Sequence, residues 1–126
     1  VPRGVAPVKQ LTEWGIPVSF CQDSLNDPFY PMGDGDLLRI LDSGLHVSHM
    51  LTANHLKNAL SFITTNPAGN LGLDNYDIAE NSPANLLVLD ASSEKEAVQR
   101  KASVLLSIHR GKKVLSREPE QVDWNI

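Results

Sequence analysis

"IPVSFCQDSLNDPFYPMG", residues 16–33, is the stretch that decides the fold. Ile16 to Cys21 is β-branched and aromatic, with its proline near the start, where a ladder tolerates one; it reads as a short buried strand. Asp23 ends this run, and residues 22–36 form an irregular loop of Asp, Asn, Pro and Gly. Loops of that length inside compact domains are uncommon and often functional. Upstream, Pro7 suits a first helical position, Val8, Leu11 and Trp14 fall on one face, and Gly15 stands where a helix C-terminus wants it. A helix and a strand separated by one glycine form an αβ unit of the kind that builds parallel sheets.

Further out, Asp36 caps a predicted helix through Leu37, Leu38, Ile40 and Leu41 that ends near Gly44, with Leu45 to Leu51 continuing helically. Leu56, Leu60 and Ile63 mark another amphipathic helix. Asn66-Pro67 reads as a cap and an N1 proline opening a short helix. The character then changes. Asn85 to Leu89 is a buried-strand run, and Ser93 with Glu96 forms a capping box for a helix through Arg100. Val104 to Ser116, turning at Arg110-Gly111-Lys112, reads as a hairpin. The opening Val1-Pro2-Arg3-Gly4 is either a protease-site remnant or native loop, and the polar tail after Glu118 reads as loose.

Composition narrows the classes. The 126 residues, 41% of them hydrophobic, suit one domain with a modest core. A net charge of −4 and the lack of a basic stripe argue against nucleic acid as a partner. No apolar run approaches the roughly 20 residues that span a bilayer, so no membrane partner is expected. Cys21 is the only cysteine, which excludes an internal disulfide and favours a reducing, cytoplasmic setting. No secretory leader is visible. The inventory does not close, however. One strand in the first 80 residues has no parallel neighbour, and three later strands are too few for an independent sandwich. The sequence looks like the end of something larger.

"GIPVSFCQDSLNDPFYPMGDGDLLRILDSGLHVSHML", residues 15–51, closely resembles the last barrel strand and following helices of bacterial cytosine deaminases, within the metal-dependent amidohydrolase superfamily. The specific pattern is a strand ending in Asp, then x-x-x-Asp-Pro-aromatic-Tyr-Pro-x-Gly. "ITTNPAGNLGL" (63–73) resembles the family's helix after the barrel, and "NSPANLLVLDAS" (81–92) with "SIHRGKKV" (107–114) its small closing β domain. The resemblance covers almost the whole chain but only the C-terminal portion of such an enzyme.

The resemblance implies an α/β fold: the C-terminal piece of a (β/α)8 TIM barrel, residues 1–80, plus residues 81–126 as part of a composite β-sandwich. It implies hydrolytic deamination of cytosine to uracil and ammonia in the intact enzyme, dependent on one divalent metal ion: zinc, iron or manganese. Such barrels work at the C-terminal ends of their strands, where a metal activates water and an adjacent carboxylate moves its proton to the leaving amine. Asp23 would be the metal ligand and the proton carrier. By residue type alone it reads first as a strand-end turn former or helix cap; the surrounding pattern reverses this in favour of the ligand. Ser24 stands where the family commonly holds a second aspartate beside the pyrimidine, Gln22 where a histidine is familiar, and Phe29 where tryptophan often lines the ring pocket. Phe29 serves loop packing as readily.

These departures leave the ring open: isoguanine or a triazine is the alternative to cytosine, and a non-catalytic binding or assembly module is the other class. The implied partner is a small aminated pyrimidine or related ring, with homo-oligomerisation. The 126-residue chain alone is expected to be inactive. The resemblance also implies a His-x-His metal pair on the first barrel strand, which His46, His49, His55 and His109 do not form; they read as solvent or interface histidines, and Cys21 reads as buried and inert.

Overall fold

The computed structural model describes residues 4–121, so the reading of Val1 to Arg3 and the far end of the tail lie outside the described residues. Five α-helices, a 3₁₀ segment and three strands follow in the order α1 (Val8–Glu13), α2 (Leu37–Val47), α3 (Ala53–Lys57), the 3₁₀ segment (Ala59–Ile63), α4 (Thr65–Asn70), β1 (Leu86–Leu89), α5 (Glu94–Arg100), β2 (Val104–His109) and β3 (Lys112–Ser116).

The core forms around α2. Leu38, Leu41 and Leu45 recur at helical spacing on one face, and Leu41 and Leu45 are fully buried. Burying a leucine contributes about 1.5–3 kcal/mol. Val8, Met50, Ala59, Phe62 and Val98 complete the cluster, with Val18, Phe20 and Leu89 packed against it. Asp36 caps α2 as expected, its Oδ1 accepting from Leu38 N at 2.9 Å.

The helix does not stop at Gly44. It runs to Val47, because Gly44 has a packing role: a Cβ there would lie 2.8 Å from the Phe20 ring. The missing side chain lets Phe20 approach the helix and stack on Phe62, centroids 5.0 Å apart. The end comes where Ser48 caps and His49 turns left-handed (φ 54°), with His49 N donating to His46 O and Met50 N to Leu45 O.

Other expectations shift. Trp14 falls outside α1 as its C-cap and is 71% exposed, so only Val8 and Leu11 carry that face inward. The helix expected across Leu56–Ile63 divides, because Asn58 leaves helical geometry (φ −118°, ψ 18°) and a 3₁₀ turn follows. Asn66 is not a cap; α4 begins at Thr65, and the Asn66 amide is used elsewhere.

The predicted strand Ile16–Cys21 joins no ladder among the described residues. Its own backbone donates outward at Phe20 N to Phe62 O (2.8 Å), and α4 grips it through side chains. The Asn66 amide donates to Val18 O at 2.8 Å, and the Asn70 amide to Pro17 O at 3.1 Å and Ser19 Oγ at 2.8 Å. With no flanking strand, Cys21 is exposed rather than buried.

The only sheet among the described residues is antiparallel, ordered β1-β2-β3, pairing Leu86 with Ile108 and Leu106 with Ser116. Its hairpin turns on Arg110-Gly111 alone, both at positive φ (49° and 75°), the geometry that two-residue turns require. α5 packs back on α2, α3 and the 3₁₀ segment.

The α5 cap is a displaced capping box. Ser93 Oγ accepts from Glu96 N at 3.2 Å, but the Glu96 carboxylate reaches Ser92 rather than Ser93, accepting from Ser92 N at 2.9 Å and from the Ser92 hydroxyl. The Ser92 hydroxyl, the Ser92 N–H and the Arg100 guanidinium pull the Glu96 pKa down from 4.5 to about 2. A depressed carboxylate pKa stabilises above the unfolded value, and that stabilisation is lost as pH falls through the folded one. Protection of the Ser92 amide against hydrogen exchange should therefore persist through pH 4.5 and fade only towards about 2. In Glu96→Ala it should be lost at every pH.

Candidate functional site

Beyond Cys21 the chain bends at Asp23 into a loop with its own internal frame. Gln22 folds back, its Nε2 donating to Ser24 O at 2.8 Å. Asp27 organises the next turn: its Oδ1 accepts from Phe29 N at 2.9 Å and Tyr30 N at 2.8 Å, while Asp27 N donates to Tyr30 O at 3.2 Å. The Tyr30 N–H is the main cause holding the Asp27 carboxyl below its ordinary pKa; slight desolvation opposes it, and the Phe29 N–H and Ser24 hydroxyl add to it. Gly33 closes the loop at φ 96°, a conformation that favours glycine, and a Cβ there would also displace the end of the Gln22 side chain, 2.8 Å away.

The three residues singled out by sequence come together here. Asp23, Ser24 and Phe29 line one surface depression with Cys21, Gln22, Tyr30 and Ile40. Asp23 is exposed, Ser24 is half-buried and Phe29 is 88% exposed. The depression thus combines a free carboxylate, a small hydroxyl and an aromatic face. That set can bind a cation on one side and a flat polar ring on the other.

Among the described residues no three His, Cys, Asp or Glu side chains converge as a metal site, so these residues do not by themselves supply a full ligand set. Asp23 offers one oxygen donor. His46 lies in the last turn of α2 and His55 on α3. No described helix is long and apolar enough to cross a membrane.

Sequence reasoning passed over Asp27 as an individual residue. Its signal was present, since Asx side chains bond the backbone two residues on and favour turns before proline.

The chain belongs to the amidohydrolase family, whose model matches residues 1–115. Superfamily members typically depend on divalent metal ions. Among solved structures, it is similar to 5-methylcytosine deaminase from Klebsiella pneumoniae liganded with 5-fluorocytosine, at 52% identity and TM-score 0.91, over 95% of this chain and 29% of that one. Among curated proteins, it is 31% identical over 87% of its length to a pterin deaminase of Rhizobium rhizogenes, covering 25% of that protein. It is 29% identical over 89% of its length to an N-isopropylammelide isopropyl amidohydrolase of Pseudomonas sp. strain ADP, covering 28%. The chain therefore spans little more than a quarter of the relatives it matches.

Proposed function

We propose that this chain is the C-terminal part of a metal-dependent deaminase that hydrolyses an aminated pyrimidine, cytosine or a 5-substituted cytosine, to the oxo ring and ammonia. The observation carrying this is the shared depression of Asp23, Ser24 and Phe29 in a chain 52% identical to a 5-methylcytosine deaminase. Residues 1–80 then belong to a barrel and residues 81–126 to a composite sandwich. The exposed Trp14, Leu71 and Ile78, at 71%, 74% and 90%, are surface for the rest of the polypeptide. The reading keeps the enzyme cytoplasmic and homo-oligomeric, with zinc, iron or manganese as its metal.

In this reading Asp23 serves as one metal ligand and holds the proton destined for the leaving amine. The metal, when bound, supplies an activated water at neutral pH. Ser24, whose hydroxyl also lies against the Asp27 carboxylate, stands at the ring edge, and Phe29 lies against the ring face. A second reading, a larger or triazine ring, is favoured by the pterin and N-isopropylammelide relatives and by the short Ser24 side chain.

The test is ammonia release by the full-length protein, supplied with zinc, iron or manganese, from cytosine, 5-methylcytosine, isoguanine, pterin and an aminotriazine. Turnover is expected on a cytosine, and best turnover on another ring moves the assignment to the second reading. No ammonia from any of them overturns both.

A further inference from the structure

Phe29 poses a physical problem. An aromatic side chain 88% exposed gains almost nothing from packing, yet its backbone is among the most tightly held in the loop. Both its own N–H and that of Tyr30 end on one oxygen of Asp27, and the Asp27 N–H closes the turn on Tyr30 O. Pro28 fixes φ at the residue between, and Asn26 enters the turn from left-handed geometry at φ 50°. Tyr30 packs towards Gly33 while Phe29 stands at the rim of the depression that contains Asp23 and Ser24. The turn thus fixes the backbone that carries the Phe29 ring without help from the ring's own packing. Holding it rigid lowers the ordering cost of stacking a flat ligand on it.

We propose that Asp27 is a positioning residue for ring recognition: it acts through the Phe29 and Tyr30 amides to set the Phe29 ring as a preformed stacking wall, and it takes no part in proton transfer. This rests on the deaminase reading above. The alternative for an aspartate four residues after Asp23 is a second chemical carboxylate. The two roles separate cleanly on substitution. Asparagine keeps an Oδ1 acceptor of the same shape, so it rebuilds the turn but cannot ionise; alanine removes the acceptor.

The experiment compares Asp27→Asn and Asp27→Ala in the full-length protein, on whichever ring the wild type turns over best. It reads kcat and KM separately, together with hydrogen exchange at the Phe29 and Tyr30 amides. In Asp27→Ala, the two amides should lose protection and KM should rise roughly 2- to 10-fold, the range of one aromatic stacking contact, with kcat nearly unchanged. Asp27→Asn should restore both protection and KM. A collapse of kcat in Asp27→Asn with amide protection intact would show a chemical carboxylate and overturn the proposal. Unprotected amides in Asp27→Ala with wild-type KM would overturn it too, because the ring wall would then not matter to binding. A wild type inert on every ring removes the deaminase reading and this role with it, a pattern distinct from an active wild type with an indifferent Asp27→Ala.

Discussion

Asp23→Ala in the full-length protein should reduce kcat/KM by at least about 10²- to 10⁴-fold, the worth of a positioned proton carrier alone. The loss should persist with metal in excess if, as proposed, Asp23 is both a ligand oxygen and the proton acceptor. Asp23→Asn is the sharper variant. It keeps the shape of a side chain that is exposed at the rim of the depression and makes no hydrogen bond that the fold depends on. The protein should therefore fold normally, bind less metal, and fail almost as badly. Asp34→Ala is the matched control. Asp34 is also a loop carboxylate, but it pairs with Arg39 at 3.4 Å and accepts from Asp36 N at 3.1 Å, outside the depression, so its loss should cost the loop some order and leave the rate near wild type. Metal content by elemental analysis, measured beside the rate, separates lost metal from lost proton transfer. Full activity in Asp23→Asn would show that the carboxylate is neither ligand nor base.

The Asp36 cap, the hairpin and the place of β1 were legible because their signals are local, although β1 is not the buried strand expected over Asn85–Leu89: it spans Leu86–Leu89, with Leu87 and Val88 at 62% and 46% exposure. Asp36 needs only Leu38, and Arg110-Gly111 needs only its own two dihedrals. What misled was residues whose roles are set from a distance. Gly44 reads as a helix stop until the Phe20 ring, far away in sequence, is seen to need the space. Asn66 reads as a cap until its amide is found on Val18 O, 48 residues away. The Ile16–Cys21 run has the composition of a strand, but a strand is made by its neighbours, and within this chain α4 side chains take their place. Cys21 was misread for the same reason: its burial depends on flanking strands, and without them it is exposed. At the candidate site, the sequence singled out the residues whose side chains face the depression and missed the one that shapes the backbone. Asp27 spends its carboxylate on main-chain amides, a role that no spacing rule isolates.

Ser24→Asp should move substrate preference more than any other single change near Asp23. Ser24 directly follows the candidate ligand and is half-buried in the depression, so in the proposed reading a side chain there meets the edge of the ring. Serine presents a short hydroxyl that can donate or accept one hydrogen bond. Aspartate adds bulk and a charge, and while ionised it pairs only with donors. The native pocket should thus be roomier and more neutral, and tolerate a substituent on the ring that the aspartate variant would crowd. The similarity to a 5-methylcytosine deaminase makes the methylated ring the natural comparison. A mismatched polar contact of this kind is worth about 1–3 kcal/mol, or roughly 5- to 150-fold in specificity. The full-length variant, assayed on cytosine, 5-methylcytosine, isoguanine and an aminotriazine, should show its ratio of kcat/KM values swing towards cytosine by that factor. The direction matters as much as the size, since general damage to the site lowers all rates together and leaves their ratios alone. If every substrate keeps its relative rate, Ser24 does not face the ring, and the specificity of the pocket is set by residues beyond Asp23 that the rest of the polypeptide supplies.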